Sequence, residues 1–357
     1  MRENRPEFWR RPSSLLLAVA FLALPWTAGA QETERLSVSG SEVSIYNLAG
    51  TVEVVPGSGS DVAVEVARGG DDARMLEVDV QEVDGRQALI VRYPSDEVVY
   101  PEMGRRSRTQ IRVSADGTFG DRSSGRRNEV EIRGSGDGME AWADLVIRVP
   151  RGKDVAVHLA VGETSVGAVD GDVSIDTGSG AVHARGGSGS LNVDTGSGTV
   201  TVGDFEGDLL VDTGSGAVEL SGIRGGEVDV DTGSGSVRGD GVSASYFRVD
   251  TGSGQMILSR VAAPEVLLDT GSGSVELELL EDVDEVVIDT GSGSVTIRVP
   301  VDLGAEVEVD TGSGGIDLDL PLEVHTIKRN YMRGVLGDGR GRISVDTGSG
   351  SIRLIGG

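Results

Sequence analysis

The sequence predicts an all-β fold: a single-stranded parallel β-solenoid, or β-helix, with about 18 to 21 residues per coil and a right-handed crossover. Three observations predict it. The pentapeptide Asp-Thr-Gly-Ser-Gly occurs nine times, the residues beside each copy alternate between apolar and polar, and many of the 55 glycines among 357 residues belong to these copies. The glycine excess is therefore periodic and does not indicate disorder.

The repeated pentapeptides follow one another at a nearly constant interval. Their aspartates are Asp176, Asp194, Asp212, Asp231, Asp250, Asp269, Asp289, Asp310 and Asp346. Successive spacings are 18, 18, 19, 19, 19, 20, 21 and then 36 residues. A period near 20 residues is typical of stacked coils, each of which cannot bury its apolar face alone.

The residues on either side of each pentapeptide alternate between apolar and polar with a period of two, which predicts a strand with one buried face. In one copy Val228, Val230 and Thr232 share a parity, which places the threonine inside and Asp231 outside. The apolar parity shifts by one across Gly-Ser-Gly, so we expect a corner there, with glycine favoured because it reaches φ > 0 without steric cost. A third apolar residue is expected to fill the return bend in five coils: Phe205, Ile223, Val242, Val261 and Val283.

Residues 1–30 are typical of a secretory signal peptide. Four arginines precede an apolar stretch at 15–24, and Ala28-Gly29-Ala30 offers small residues for cleavage. The apolar stretch is shorter than the about 20 residues that span a bilayer, and no later stretch approaches that length. We therefore expect an exported protein, located in the periplasm, at the cell surface or outside the cell, with no membrane span in the mature chain.

The remaining chain divides into three parts. Residues 31–100 are expected to form N-terminal strands of one continuous domain with the coils of 145–357, from which residues 321–341 project as a loop. Residues 101–144 are an insertion rich in Arg, Gly and Ser. This insertion is either a mobile surface loop or a segment that folds over the acidic face and supplies counter-charge.

Composition excludes several classes of partner. The formal net charge is −26, so nucleic acid is excluded as a ligand because its binding depends on Lys and Arg that neutralise phosphates. The chain has no cysteine, which excludes a disulfide framework, a zinc–thiolate site and a lipid-attachment cysteine.

The Asp-Thr-Gly-Ser tetrapeptide invites an aspartic protease interpretation, which the repetition opposes. That chemistry needs two carboxylates about 3 Å apart that share one proton, and nine equivalent copies define no pair. Calcium-binding β-rolls need Gly-Gly-x-Gly-x-Asp, and the closest match, at 186–191, ends in Leu191. Weak Ca²⁺ binding to the carboxylates stays open, as does a structural role in which each aspartate caps its corner as an Asx turn.

No residue is assigned to catalysis, to a cofactor or to a metal. A polysaccharide-active β-helix enzyme needs two carboxylates in distinct positions, and the coils are too uniform to provide them. His158, His183 and His325 have no metal-ligand spacing. If the aspartates form a column, their mutual repulsion should raise their pKa values.

The chain resembles a bacterial family of exported β-strand-repeat proteins, a domain of unknown function classed as adhesins by analogy and akin to the head-GIN adhesin-like domains. The resemblance lies in residues 44–55, 146–173, the TGSG coils and the end ISVDTGSGSIRLIG, and excludes residues 101–144. It implies a non-enzymatic β-solenoid that serves as a cell-envelope or surface module with an unknown ligand. The alternatives are a periplasmic scaffold or partner protein whose acidic ladder binds divalent cations, and the polysaccharide-active enzyme.

Overall fold

A computed structural model describes residues 33–120 and 127–357, so the signal peptide predicted at 1–30 lies outside the described residues. The described residues belong to one compact unit. The described residues form one sheet of 27 strands and one of four strands, with two short 3₁₀ helices at Ala73–Met75 and Pro101–Met103. The all-β prediction is confirmed.

The N-terminal region and the insertion supply ten strands. They are β1 (Thr33–Val38), β2 (Glu42–Ala49), β3 (Val52–Pro56), β4 (Val62–Gly69), β5 (Glu77–Val83), β6 (Arg86–Arg92), β7 (Glu97–Val99), β8 (Arg108–Ser114), β9 (Arg127–Arg133) and β10 (Met139–Glu140).

The repeat region supplies the rest. Its first half contains β11 (Trp142–Val149), β12 (Asp154–Val161), β13 (Thr164–Val166), β14 (Asp170–Ser179), β15 (Val182–Arg185), β16 (Ser188–Thr195), β17 (Val200–Gly203), β18 (Glu206–Thr213), β19 (Val218–Thr232) and β20 (Val237–Thr251). Its second half contains β21 (Met256–Ala262), β22 (Glu265–Thr270), β23 (Val275–Leu279), β24 (Glu285–Thr290), β25 (Val295–Val299), β26 (Ala305–Thr311), β27 (Ile316–Asp319), β28 (Glu323–Ile327), β29 (Tyr331–Leu336), β30 (Gly341–Thr347) and β31 (Ile352–Gly356).

Successive coils pair in parallel and in register on both sides of the corner. Before the corner, β14 pairs with β16 and β16 with β18, which aligns each aspartate with the next. After the corner, β15 pairs with β17, and β17 with the first half of β19. The sheet as a whole has mixed orientation, because β1–β4, β4–β11, β5–β6, β26–β29 and β28–β29 are antiparallel.

The first coil is separated from the second by almost 100 residues of chain. β2 and β3 pair in parallel with β12 and β13. The polypeptide between them forms β4–β6, the insertion and β11 before it returns to the stack. Residues 42–56 therefore continue the repeat region on its N-terminal side.

The last two coils are stacked in the reverse of their sequence order. β30 lies between β24 and β26, so Asp346 pairs with both Asp289 and Asp310. The segment predicted as a loop at 321–341 contains β28 and β29, and β29 pairs antiparallel with the other edge of β26. Because this hairpin occupies the outer edge of β26, the final coil pairs with its inner edge, and the terminal backbone is partly covered.

The buried side chains are those that the alternating sequence pattern predicts to face inward. All nine motif threonines are buried, and so are the five residues expected to fill the return bends. The burial is continuous along one apolar cluster from Val38 to Leu354. Each buried aliphatic side chain contributes about 1.5–3 kcal/mol, which helps to offset the cost of ordering so many glycines.

The described part of the insertion forms a small sheet together with β7, which directly precedes it. β10, β7, β9 and β8 pair in that order, and Val130 and Ile132 of β9 belong to a second apolar cluster with Tyr46 of β2 and Phe119. This cluster lies on the outward-facing side of β2, since Ile45 belongs to the main core. The described insertion therefore packs on the outside of the first coils and is not a loop without structure.

Candidate functional site

The main surface feature is a row of carboxylates, here called the aspartate ladder. Strand pairing places its members in the order Asp176, Asp194, Asp212, Asp231, Asp250, Asp269, Asp289, Asp346 and Asp310. Each is exposed or half-buried, as the parity predicted. With about 4.8 Å between neighbouring strands, the nine positions extend over about 38 Å.

Threonine, and not aspartate, caps seven of the nine corners; the Thr177 and Thr195 hydroxyls have no hydrogen-bond partner among the described residues. The Thr232 hydroxyl accepts a hydrogen bond from the backbone N–H of Gly235 at 2.9 Å and donates to the carbonyl of Gly216 in the preceding coil at 3.2 Å. Thr251 repeats the arrangement with Gly254 and Gly235. The Asx-turn interpretation of the aspartates is wrong at these corners, which leaves their carboxylates facing solvent.

The glycines of most corners are required by close packing between coils. A Cβ atom on Gly235 would lie well under 3.0 Å from the carbonyl oxygen of Gly216. The expected positive φ occurs at Gly180 and Gly198, at 149° and 158°, and not at the second glycine of later copies. The reason for glycine at those later corners is thus the neighbouring coil and not the backbone dihedral angle.

Crowding along the aspartate ladder affects its protonation. Burial, followed by the charges of neighbouring ladder carboxylates, raises the pKa values of Asp231, Asp269 and Asp346. Arg248 interrupts the negative row: its guanidinium lies 3.0 Å from Asp229 and 2.9 Å from Asp250. The expectation of raised pKa values is confirmed for these three aspartates.

The raised pKa values predict how stability changes with pH. A carboxyl group whose pKa is higher in the folded state binds its proton more tightly there, so folding is favoured as pH falls through the raised pKa values towards 3.8. This contribution is lost as pH rises through that window. We expect Asp231→Asn to reduce this pH dependence in urea unfolding followed by circular dichroism. Glu276→Gln, on the strand after a corner, is the control, and equal slopes for Asp231→Asn and wild type would contradict the prediction.

Aromatic residues close the N-terminal end of the aspartate ladder. The next position beyond Asp176 is His158, followed by Tyr46. His158 Nδ1 lies 3.0 Å from Asp176 Oδ2, and its ring stacks on Tyr46 with 4.4 Å between centroids. Phe119 of the insertion meets both rings edge-on. The insertion therefore contacts the end of the ladder through an aromatic group.

The arginines of the insertion do not neutralise the ladder within the part of the chain that the structure describes. Arg108 and Arg133 pair with Glu131, and Arg133 also pairs with Glu97, all within the small sheet. These contacts lower the pKa of Glu131 through the hydrogen bond from Arg133. The counter-charge interpretation is thus wrong for these arginines, because their partners belong to the small sheet and not to the ladder.

The ladder carboxylates repeat one position of the coil, and only the local partners differ: Asp176 contacts His158 and Asp250 pairs with Arg248. Across residues 33–120 and 127–357, no group of three or more His, Cys, Asp or Glu side chains could hold a metal ion. His183 lies 3.8 Å from Glu163, and His325 is exposed. The arrangement provides an extended array of equal charges, which suits multivalent contact better than chemistry at one bond.

Sequence reasoning missed two residues, Tyr100 and Glu163, which line a cleft between the insertion and the first corners. One signal was present in the sequence. Glu163 stands at a corner position where the later coils have uncharged residues. Tyr100 gives no signal, because its position depends on how the insertion packs.

The fold and surface define an all-β repeat protein with an acidic face. The Toastrack DUF4097 family matches residues 125–354, and the chain belongs to that family. This confirms the resemblance to an adhesin-like family of unknown function. No curated protein matches the chain significantly.

Two solved structures are similar to the chain. One is a "putative cell adhesion protein" from Clostridium sporogenes, with 12% identity, coverage of 91% of this chain and 99% of that one, and a TM-score of 0.21. The other is a "putative adhesin" from Parabacteroides merdae, with 11% identity, coverage of 91% and 95%, and a TM-score of 0.35.

Proposed function

We propose that the chain is a non-enzymatic, exported adhesin-like module of the cell envelope, a right-handed β-solenoid that binds a positively charged surface through its aspartate ladder. The observation that carries the proposal is the in-register row of nine outward-facing carboxylates on strands whose other face is buried. A rigid row of equal charges gains affinity by avidity, since each added contact is intramolecular once the first has formed.

The similar surroundings of carboxylates along the ladder support a binding role over an enzymatic one. Hydrolysis of a glycosidic bond needs an acid and a base or nucleophile in different environments, whereas Asp231 and Asp269 experience the same kinds of neighbour. Export is supported by the signal-like residues 1–30. Among the described residues, no helix is long and apolar enough to cross a membrane.

The test compares two variants with the same change in net charge. The first replaces four ladder residues with Asn: Asp212, Asp231, Asp250 and Asp269. The second replaces four exposed glutamates outside the ladder with Gln: Glu206, Glu219, Glu276 and Glu281. Binding of each protein to a supported bilayer containing a cationic lipid is measured with a quartz-crystal microbalance, with and without Ca²⁺.

We expect the ladder variant to lose at least about tenfold in apparent affinity, because multivalent contact amplifies each lost pair, and the second variant to lose less than about threefold. Equal losses of affinity in the two variants would show that the overall charge of the protein, and not the ladder, mediates binding. Ca²⁺-dependent binding to an anionic bilayer, lost in the ladder variant, would instead support the cation-binding alternative. Release of reducing sugar from a polysaccharide panel would contradict the non-enzymatic assignment.

A further inference from the structure

A cleft lies where the insertion meets the first coils. Tyr100, directly before the insertion, and Glu102 and Met103 within it line one part of the cleft, and Gly162 and Glu163 at the corner of the second coil line another. Its volume is about 540 Å³, within the range of about 300–1,000 Å³ that small organic ligands occupy. It is built by the part of the chain that departs from the repeat.

Glu163 is a charged residue at a position where the repeat needs none. Its carbonyl accepts the same inter-coil hydrogen bond as uncharged residues in later coils. Those equivalent residues are Ala181, Thr199, Ala217, Ser236, Gln255, Ser274, Ser294, Ser351 and Gly315. The Glu163 side chain is 61% exposed and lines the cleft. His183 Nε2 lies 3.8 Å from Glu163 Oε1, too far for a hydrogen bond, so the exposed carboxylate is available to a ligand.

Tyr100 is a buried residue whose hydroxyl has no partner among the described residues. It is only 3% exposed and lines the cleft, and its hydroxyl is not among the fully enclosed unpaired side-chain atoms of the described residues, so it reaches the solvent of the cleft. The hydroxyl of Tyr93, by contrast, bonds to Asn47 and to the carbonyl of Ala49. The Tyr100 hydroxyl therefore has free capacity for a ligand.

The electrostatic field in the cleft selects a cation. Burial, followed by the charges of Asp144, Glu102 and Glu163, raises the pKa of Tyr100 to about 12. The hydroxyl stays neutral at pH 7 in this negative field and is able to accept a hydrogen bond. No Lys or Arg is among the described residues that line the cleft.

We propose that this cleft binds the protonated amino group of a small aliphatic amine. Glu102 and Glu163 supply the opposite charge, and the Tyr100 hydroxyl accepts one ammonium N–H. Met103 and Val161, which also line the cleft, contact the alkyl portion. A charged hydrogen bond of this kind contributes about 1.5–3 kcal/mol. This site is separate from the aspartate ladder and does not depend on its function.

Isothermal titration of the purified protein tests the site, with spermidine as a linear polyamine and glucosamine as an amino sugar. We expect saturable binding of one molecule per chain for at least one of the two amines. The amine that binds more tightly shows whether the natural ligand is a polyamine or an amino sugar. Glu163→Gln should weaken binding about tenfold or more, since it removes a charged hydrogen bond. Tyr100→Phe should weaken it about threefold or more while leaving the melting temperature unchanged, because the hydroxyl has no protein partner to lose.

Glu276→Gln is the matched control, because it changes the net charge equally on an exposed strand away from the cleft. It should alter affinity by less than about twofold. Equal losses for Glu276→Gln and Glu163→Gln, or no saturable binding of either amine, would overturn the proposal. Retained amine binding in the four-Asn ladder variant would support it, even if that protein no longer adheres to cationic bilayers.

Discussion

Gly273→Ala is expected to destabilise the protein by about 3 kcal/mol or more, which would prevent cooperative folding if the stack is only marginally stable. A Cβ atom on Gly273 would overlap the carbonyl oxygen of Gly254 in the preceding coil, at well under 3.0 Å. That carbonyl is backbone, so it cannot rotate away as a side-chain end could. Relief requires the two coils to separate, which would stretch the hydrogen bonds of the strands on both sides of the corner.

Two substitutions control for the loss of glycine flexibility and for mutation at the corner itself. A Cβ atom on Gly315 meets nothing within 4 Å, and Ser272 is exposed on the same corner as Gly273. Gly315→Ala and Ser272→Ala should each change stability by less than about 0.5 kcal/mol. Urea unfolding followed by circular dichroism measures all three. A Gly273→Ala protein as stable as Gly315→Ala would show that the corners do not constrain coil spacing.

The repeat itself made most of this fold predictable. The spacing of the motif aspartates and the parity of residues such as Val230 and Thr232 depend only on local periodicity, and local periodicity is what a single sequence displays. The structure places Thr232 inside and Asp231 outside, as that parity requires. The in-register pairing followed from the same regularity, because a one-residue slip would expose every apolar side chain.

The features that sequence could not predict are those decided by tertiary packing. Asp310 precedes Asp346 in the chain, yet the Asp346 coil lies inside the stack because β29 occupies the far edge of β26. The capping role fell to threonine because the corner turns its hydroxyl towards the following glycine N–H, which periodicity does not reveal. The cleft at Tyr100 arises where two non-repeating segments meet, so no period could indicate it.

Thr251→Val is expected to lower the free energy of unfolding by about 2–4 kcal/mol. The substitution keeps the side-chain shape and removes the hydroxyl, which accepts from Gly254 N at 3.0 Å and donates to Gly235 O at 3.1 Å. Both backbone partners lie on buried glycines. An unpaired buried donor or acceptor costs about 1–3 kcal/mol, so two of them produce a loss of this size. The denaturation midpoint in urea, at unchanged m-value, measures it.

Thr195→Val provides a control with the same chemistry and burial. Thr195 is 1% exposed, as deeply enclosed as Thr251, but its hydroxyl has no hydrogen-bond partner. Its corner differs, since Gly198 there has φ of 158° while Gly254 does not adopt a positive φ. Replacing a buried unpaired hydroxyl with a methyl group should leave stability unchanged or raise it. If Thr195→Val and Thr251→Val cost the same, the threonines stabilise the coils by shape alone. A loss confined to Thr251→Val would establish that hydroxyl hydrogen bonds between coils hold the corners, and with them the spacing of the outward carboxylates.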